Sequence, residues 1–158
     1  MLPMPTSARN VRKRSILALL PAFLPPPTGI ATGTCYCSEM VLFRLQFVRE
    51  PLSRAMLADL AADGFGDMIK AVVDVKRSIM VIGAELHADE EAALLDDGSR
   101  QPDLWGINLY PDETGDGWIE FDSMINVRPA QGNRSRGVDD AEMRLSIRGV
   151  VARLVRDP

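Results

Sequence analysis

His87 is the only histidine of the chain. It lies in Glu85-Leu86-His87-Ala88-Asp89-Glu90-Glu91, where an apolar run gives way to an acidic one. A carboxylate beside an imidazole raises its pKa and holds its tautomer. His87, Glu85 and Asp89 therefore make a candidate acid–base group. If the preceding strand runs on to residue 87, Glu85 and His87 share one face of it. One histidine among carboxylates does not make a zinc set. Oxygen ligands suit a hard cation, but no EF-hand loop is present. No metal site and no cofactor is therefore assigned. The competing reading is structural: His87 ends the strand and Asp89 caps the next helix.

A second group of residues lies in the run Trp118 to Arg128. Alternation places Ile119, Phe121, Ile125 and Val127 on the core side of a strand. Glu120, Asp122, Asn126 and Arg128 then share the other side. A hairpin with the run Trp105 to Tyr110 would add Asn108 and Tyr110 to that side. Carboxylates, amides and a guanidinium on one sheet face suit a hydrogen-bonded binding site, although a solvated face has the same pattern. The loop that follows carries Asn133, Arg134 and Arg136 toward a helix N-terminus, an arrangement that attracts anions. Asp139 and Asp140 oppose this, so the arginines have a second use as partners for Glu120 or Asp122. No Walker loop, GxGxxG, GxSxG or HExxH string occurs. Nor do aromatic and basic residues interleave as they do in single-stranded nucleic-acid binders.

The elements that must position these residues are legible in outline. Val41 to Val48 reads as a strand, stopped by Glu50-Pro51. Ser53 caps a helix that exposes a face of Met56, Leu57, Leu60 and Ala61 to the core, with Gly64 ending it. Met68 to Val75 and Ser78 to Leu86 form a hairpin around Lys76-Arg77. The second of these is apolar on both faces, as a central strand would be. Asp89 to Leu95 is a short helix before Gly98. Trp105 to Tyr110 and Trp118 to Val127 are strands joined by a turn-rich segment. Asp139 to Arg156 is the last helix, with Ile147, Val151 and Leu154 at helical spacing. The order β-α-β-β-α-β-β-α predicts a single α+β domain, with a five-stranded mixed or antiparallel sheet and three helices on one face.

The whole chain has 158 residues and a formal net charge of −4. Its first 39 residues hold six of the 11 prolines, both cysteines and four cations against one anion. Residues 40–158 keep 14 cations and 21 anions. That balance argues against a nucleic-acid partner. Residues 1–39 read as a disordered extension, either ahead of a true start at Met40 or forming a signal-like segment. The apolar run from Ile16 to Leu24 is shorter than the roughly 20 residues a membrane span needs. Residues 40–158 form the globular α+β domain, with no membrane segment. They lack cysteine, which fits a cytoplasmic setting; export is the alternative if 1–39 is a true signal.

The strings REPLSRAMLADLAADGFGDMIKAVVDV, GAELHADEEAALLDDGS, QPDLWGINLYP and WIEFDSMINVRPAQGNRSRGVDD resemble the bacterial family called domain of unknown function 5674. The resemblance spans about residues 41–156. It implies a start near Met40 and brings no activity with it. Three functional readings follow from the residues. The first is a binder of a small anionic ligand or a protein partner, through the polar sheet face and the arginine loop. The second is a hydrolase, with or without a divalent cation, built on His87 and nearby carboxylates. The third is a polar network that only holds the loop to the sheet.

Overall fold

The computed structural model describes residues 44–156. The proline-rich extension at 1–39, the Met40 start and the first residues of the strand expected at 41–48 lie outside them.

Hydrophobic alternation produces the sheet. β3 (Ile69–Asp74) and β4 (Ile79–Ile82) form the expected hairpin, pairing Val73 with Met80 and Asp74 with Ile79. The turn lacks Asn-Gly, and Asp74 replaces that signal. Its Oδ1 accepts from the N–H groups of Lys76 at 2.9 Å and Arg77 at 2.8 Å, while Ser78 takes the positive φ of 59°. β1 (Gln46–Val48) pairs with the other edge of β4, so β4 is central and buried on both faces. β5 (Leu104–Leu109) pairs with β3, and β6 (Ile119–Glu120) pairs with β5. The order is β1-β4-β3-β5-β6, antiparallel throughout. A separate parallel pair joins β2 (Leu52–Ser53) to β7 (Val155–Arg156). The fold is α+β, with one five-stranded sheet and three helices.

α1 (Arg54–Ala62) starts at Ser53, whose hydroxyl accepts from the Met56 N–H at 3.2 Å. Leu57 and Ala61 are buried, but Met56 is half exposed and lies off the apolar face. The helix ends at Ala62 with Asp63 as its C-cap, so Gly64 follows the cap as expected; the positive φ, 100°, falls at Gly66, whose N–H reaches back to the Ala61 carbonyl at 2.8 Å. α3 (Ala141–Leu154) is capped by Asp140, which accepts from the Glu142 N–H at 2.9 Å. Asp139, the expected start of the helix, instead accepts from the preceding loop.

The helices cover both faces of the sheet, not one. α1 and α3 share a core with Ala71, Val73, Met80, Ile82, Ile107 and Ile119. α2 (His87–Asp96) lies on the opposite face, where Leu94 packs with Val72, Ile79, Val81 and Leu104. Ile147, Val151 and Leu154 thus share a core with Ile119, and Phe121 packs against that core. Ile125 belongs to the α2 side, and Val127 is exposed. The reason is that the strand expected over 118–127 stops after Glu120. A 3₁₀ turn at Met124–Asn126 replaces its second half, so period-2 alternation no longer assigns faces there.

Candidate functional site

One strip of the α2-side face is polar. The register sets Lys70 of β3 opposite Asn108 of β5, and Asn108 opposite Glu120 of β6. Alternation puts this row on the face that carries Val72 and Leu104. The strip begins where α2 begins. β4 ends at Ile82, because Gly83 turns the chain at φ 87°. A Cβ there would lie 2.3 Å from the Arg44 carbonyl oxygen, so only glycine fits. The strand therefore never reaches residue 87, and Glu85 and His87 do not share a strand face. His87 opens α2, with Leu86 as an N-cap that has no side-chain cap bond. Asp89 sits exposed in the first turn instead of capping it.

A cleft of roughly 610 Å³, open to solvent, lies at this junction. Its polar lining is Lys70, His87, Asn108, Asp122, Ser123 and Arg136; Leu86, Ala88, Met124 and Ile125 supply the apolar part. Residues from β3, β5, α2 and the 122–136 segment thus converge. Another hollow, beside α1 and bounded by Leu60, Phe65, Met68 and Gly83, contains none of the residues expected to do chemistry.

His87 is buried, and its Nε2 lies 2.8 Å from the Ile107 carbonyl oxygen. A carbonyl only accepts, so Nε2 carries the proton and Nδ1 is the basic nitrogen. Burial lowers the His87 pKa below its ordinary value, against the Ile107 bond, which raises it; Lys70 adds a smaller lowering. The ring is neutral at pH 7.

Asn108 donates from Nδ2 to Glu120 Oε2 at 2.8 Å, and Tyr110 donates to the same oxygen at 3.1 Å. Burial and then Glu120 raise the Tyr110 pKa. Because a carboxylate only accepts, the Asn108 nitrogen faces Glu120, and Oδ1 is turned away. That Oδ1 and the Ser123 hydroxyl are buried with no hydrogen-bond partner. Gly106 admits Ser123: a Cβ on Gly106 would fall 2.6 Å from the Ser123 Cβ.

The guanidinium–carboxylate pair expected on this face is Arg136 with Asp122. Nε lies 2.8 Å from Oδ1 and the second nitrogen 3.0 Å from Oδ2, a bidentate fork. Arg128 does not join it. It is buried and spans Ile125 O at 2.8 Å, Gln101 O at 2.6 Å and Glu91 Oε1 at 3.3 Å, over the Trp105 ring. Asn126 is fully buried and binds both backbone groups of Gly106, each at 2.9 Å, as well as the Arg136 carbonyl. Asn133 ties the loop together through the carbonyls of Asn126, Ser135 and Gly137 and the N–H of Asp139. The Arg134 side chain is exposed; its N–H donates to Asp139. The Ser135 hydroxyl and that N–H hold the Asp139 pKa down.

Of the sequence-predicted residues, His87, Asn108, Asp122 and Arg136 line one cleft, with Tyr110 and Glu120 behind Asn108. Asn126, Arg128 and Asn133 hold the segment that carries Asp122 and Arg136. Glu85 and Asp89 are exposed and outside the lining, and Arg134 is outside it too. Lys70 and Ser123 were missed. Lys70 is the one cation in the apolar strand IKAVVD, and its register with Asn108 is the signal that finds it. It also donates to the Glu85 carbonyl at 2.8 Å. Among the described residues, no group of three or more His, Cys, Asp or Glu is placed to hold a metal ion. No described helix is long and apolar enough to cross a membrane.

No curated protein and no solved structure matches the chain. A family described as "Protein of unknown function (DUF5674)" matches residues 46–154, which contain the sheet, the three helices and every residue of the cleft. The chain belongs to that family.

Proposed function

We propose that the domain binds a small anionic ligand in the cleft between the N-terminus of α2 and the 122–136 segment. The observation that carries this reading is the convergence of Lys70 and Arg136 there, with Asp122 as the single carboxylate of the lining. The first-turn N–H groups of α2 add partial positive charge beside them. Asn126 and the Ser123 N–H both bond the Arg136 carbonyl, so the guanidinium is presented from a fixed backbone. This favours a small ligand over the acidic segment of a protein partner. In this reading the domain acts in the cytoplasm, a setting compatible with the absence of cysteine from residues 40–158.

Hydrolysis is the second reading. Its support is that His87 and Ser123 line the same cleft. Glu85 and Asp89 are exposed and outside the lining, so this reading rests on His87 and Ser123. The purely structural reading fits Asn126, Arg128 and Asn133, and Lys70 through its bond to the Glu85 carbonyl and its place over the Phe65 ring, but leaves the unpartnered polar atoms of Asn108 and Ser123 without a use.

The test is an amide-shift NMR titration of the full chain with acetate and with inorganic phosphate. Saturable shifts at Lys70, His87, Ser123 and Arg136 are expected, and Arg136→Gln should weaken them at least about fivefold. Absence of saturable shifts with either anion would overturn the proposal.

A further inference from the structure

We infer that His87 is the third cationic arm of this cleft: an oxyanion bound beside Lys70 and Arg136 is held together with a proton taken up at His87 Nδ1. The inference rests on the anion-binding reading above and adds to it the way binding depends on pH.

The first support is access. Asn108 and Ser123 line the cleft, but Asn108 Oδ1 and the Ser123 hydroxyl are sealed from solvent. His87 Nδ1 has no hydrogen-bond partner among the described residues and is not sealed in this way. The hollow that His87 lines is this cleft, and Lys70 and Arg136 belong to the same lining.

The second support is anchorage. Nε2 already donates to the Ile107 carbonyl at 2.8 Å. Both nitrogens of an imidazolium are donors, so protonation keeps this bond and makes it charge-assisted. The added proton goes to Nδ1 and needs an acceptor there. The one carboxylate of the lining, Asp122, is engaged by the Arg136 fork. An oxyanion supplies the missing acceptor.

The third support is the balance of charge at the ring. Within the protein alone, burial opposes a charge on His87, and Lys70 of β3 and Arg136 oppose it further; the Ile107 bond and Asp122 favour it. On α2 itself, Asp89 is exposed, Glu90 is turned to the Ala84 N–H and Glu91 to Arg128. Glu120 of β6 is taken by Asn108 and Tyr110. A bound anion offsets Lys70 and Arg136 and attracts the proton directly, so it tilts the balance toward the imidazolium. Affinity therefore rises as pH falls through the His87 pKa of the complex, and levels off below that of the free protein.

The test uses sulfate, which stays dianionic between about pH 5.5 and 8, where phosphate itself titrates. His87 is the only histidine, so its ring signals in nitrogen-15 NMR of the full chain are unambiguous. At saturating sulfate the ring midpoint should rise by at least about half a pH unit, equivalent to about threefold tighter binding at the acid end than at the basic end. Chloride at equal ionic strength should not move it. His87→Gln should bind sulfate at the basic end and lose the tightening at the acid end. If that variant does not fold, the ring midpoint of the unaltered chain decides alone. Saturable sulfate shifts at Lys70 and Arg136 with an unmoved ring midpoint, or a movement that chloride reproduces, would overturn the inference while the anion reading stands. If sulfate does not saturate, the inference falls, and the anion reading falls with it when acetate and phosphate also fail.

Discussion

Asn126 closes its side-chain amide onto Gly106, donating to the carbonyl and accepting from the N–H, each at 2.9 Å. β6 stops pairing with β5 at Asn108, so Gly106, two residues on, would face empty backbone. One side chain there replaces a strand residue. It also frees the following chain to turn, which brings Asp122, Ser123 and Arg136 to the cleft.

Asn126→Ala should therefore cost about 2–3 kcal/mol, because two buried backbone groups lose their partners. Urea unfolding reads this directly. Gly106→Ala should also destabilise, by about 1–3 kcal/mol, since the new methyl overlaps Ser123. A midpoint unchanged by either variant would show that the 122–126 segment is not held in this way.

Arg128 and Arg136 should separate in their effects. Arg128→Ala removes a buried guanidinium from two carbonyls and Glu91. A loss of about 2–4 kcal/mol in unfolding free energy is expected. Arg136 is exposed, and its ion pair with Asp122 is solvent-screened. Arg136→Gln should leave the urea midpoint close to that of the parent and act on ligand binding. The reverse pattern would exchange the roles given to the two residues.

Glu90 makes stability fall as pH rises. It is fully buried, its Oε1 accepts from the Ala84 N–H at 3.1 Å, and its Oε2 has no partner. Burial raises its pKa well above 4.5, against a smaller lowering by the Ala84 bond. Between 4.5 and that raised value the folded state keeps a proton that the unfolded chain has released. Its contribution is complete below 4.5 and is lost with a slope of up to about 1.4 kcal/mol per pH unit. Glu90→Gln should flatten this slope and outlast the parent at pH 7.5 but not at pH 4.5. Paired urea curves at the two values check it; a constant difference would remove Glu90 as the cause.

His87 works in the other direction. Its folded pKa lies below the ordinary 6.5, so the unfolded chain takes up a proton first as pH falls. The stability it supplies is present above 6.5 and is lost on descending through the folded pKa. Nitrogen-15 NMR of the ring should show the Nε2–H tautomer at pH 7 and a titration midpoint below 6.5. An Nδ1–H tautomer would contradict the bond to Ile107.

The reach of the sequence follows from what periodicity encodes. β3, β4, α1 and α3 each bury a face, and a buried face repeats at two or 3.6 residues. The run from Trp118 to Val127 misleads for the same reason. Its apolar alternation continues through Ile125, yet that side chain packs under α2 after a turn whose stability comes from Asn126. A side chain standing in for backbone leaves no periodic trace. His87 was legible as an isolated titratable residue, whereas its expected partners Glu85 and Asp89 were not separable from the positive φ of Gly83, which ends the strand early. Ser123 has no pattern of its own; it becomes a site residue only because Gly106 lacks a side chain.

The parallel pairing of Leu52–Ser53 with Val155–Arg156 has a consequence for the order of assembly. It joins the residues that start α1 to those that follow α3, across a loop of about a hundred residues. Loop-closure entropy must be overcome before so distant a contact gives any return. On a translating ribosome the pairing is impossible until residue 156 has emerged from the exit tunnel. The hairpin of β3 and β4 needs no such wait. The molecule is thus expected to mature from its middle outward, with the clasp as a late step that marks a chain made through to β7.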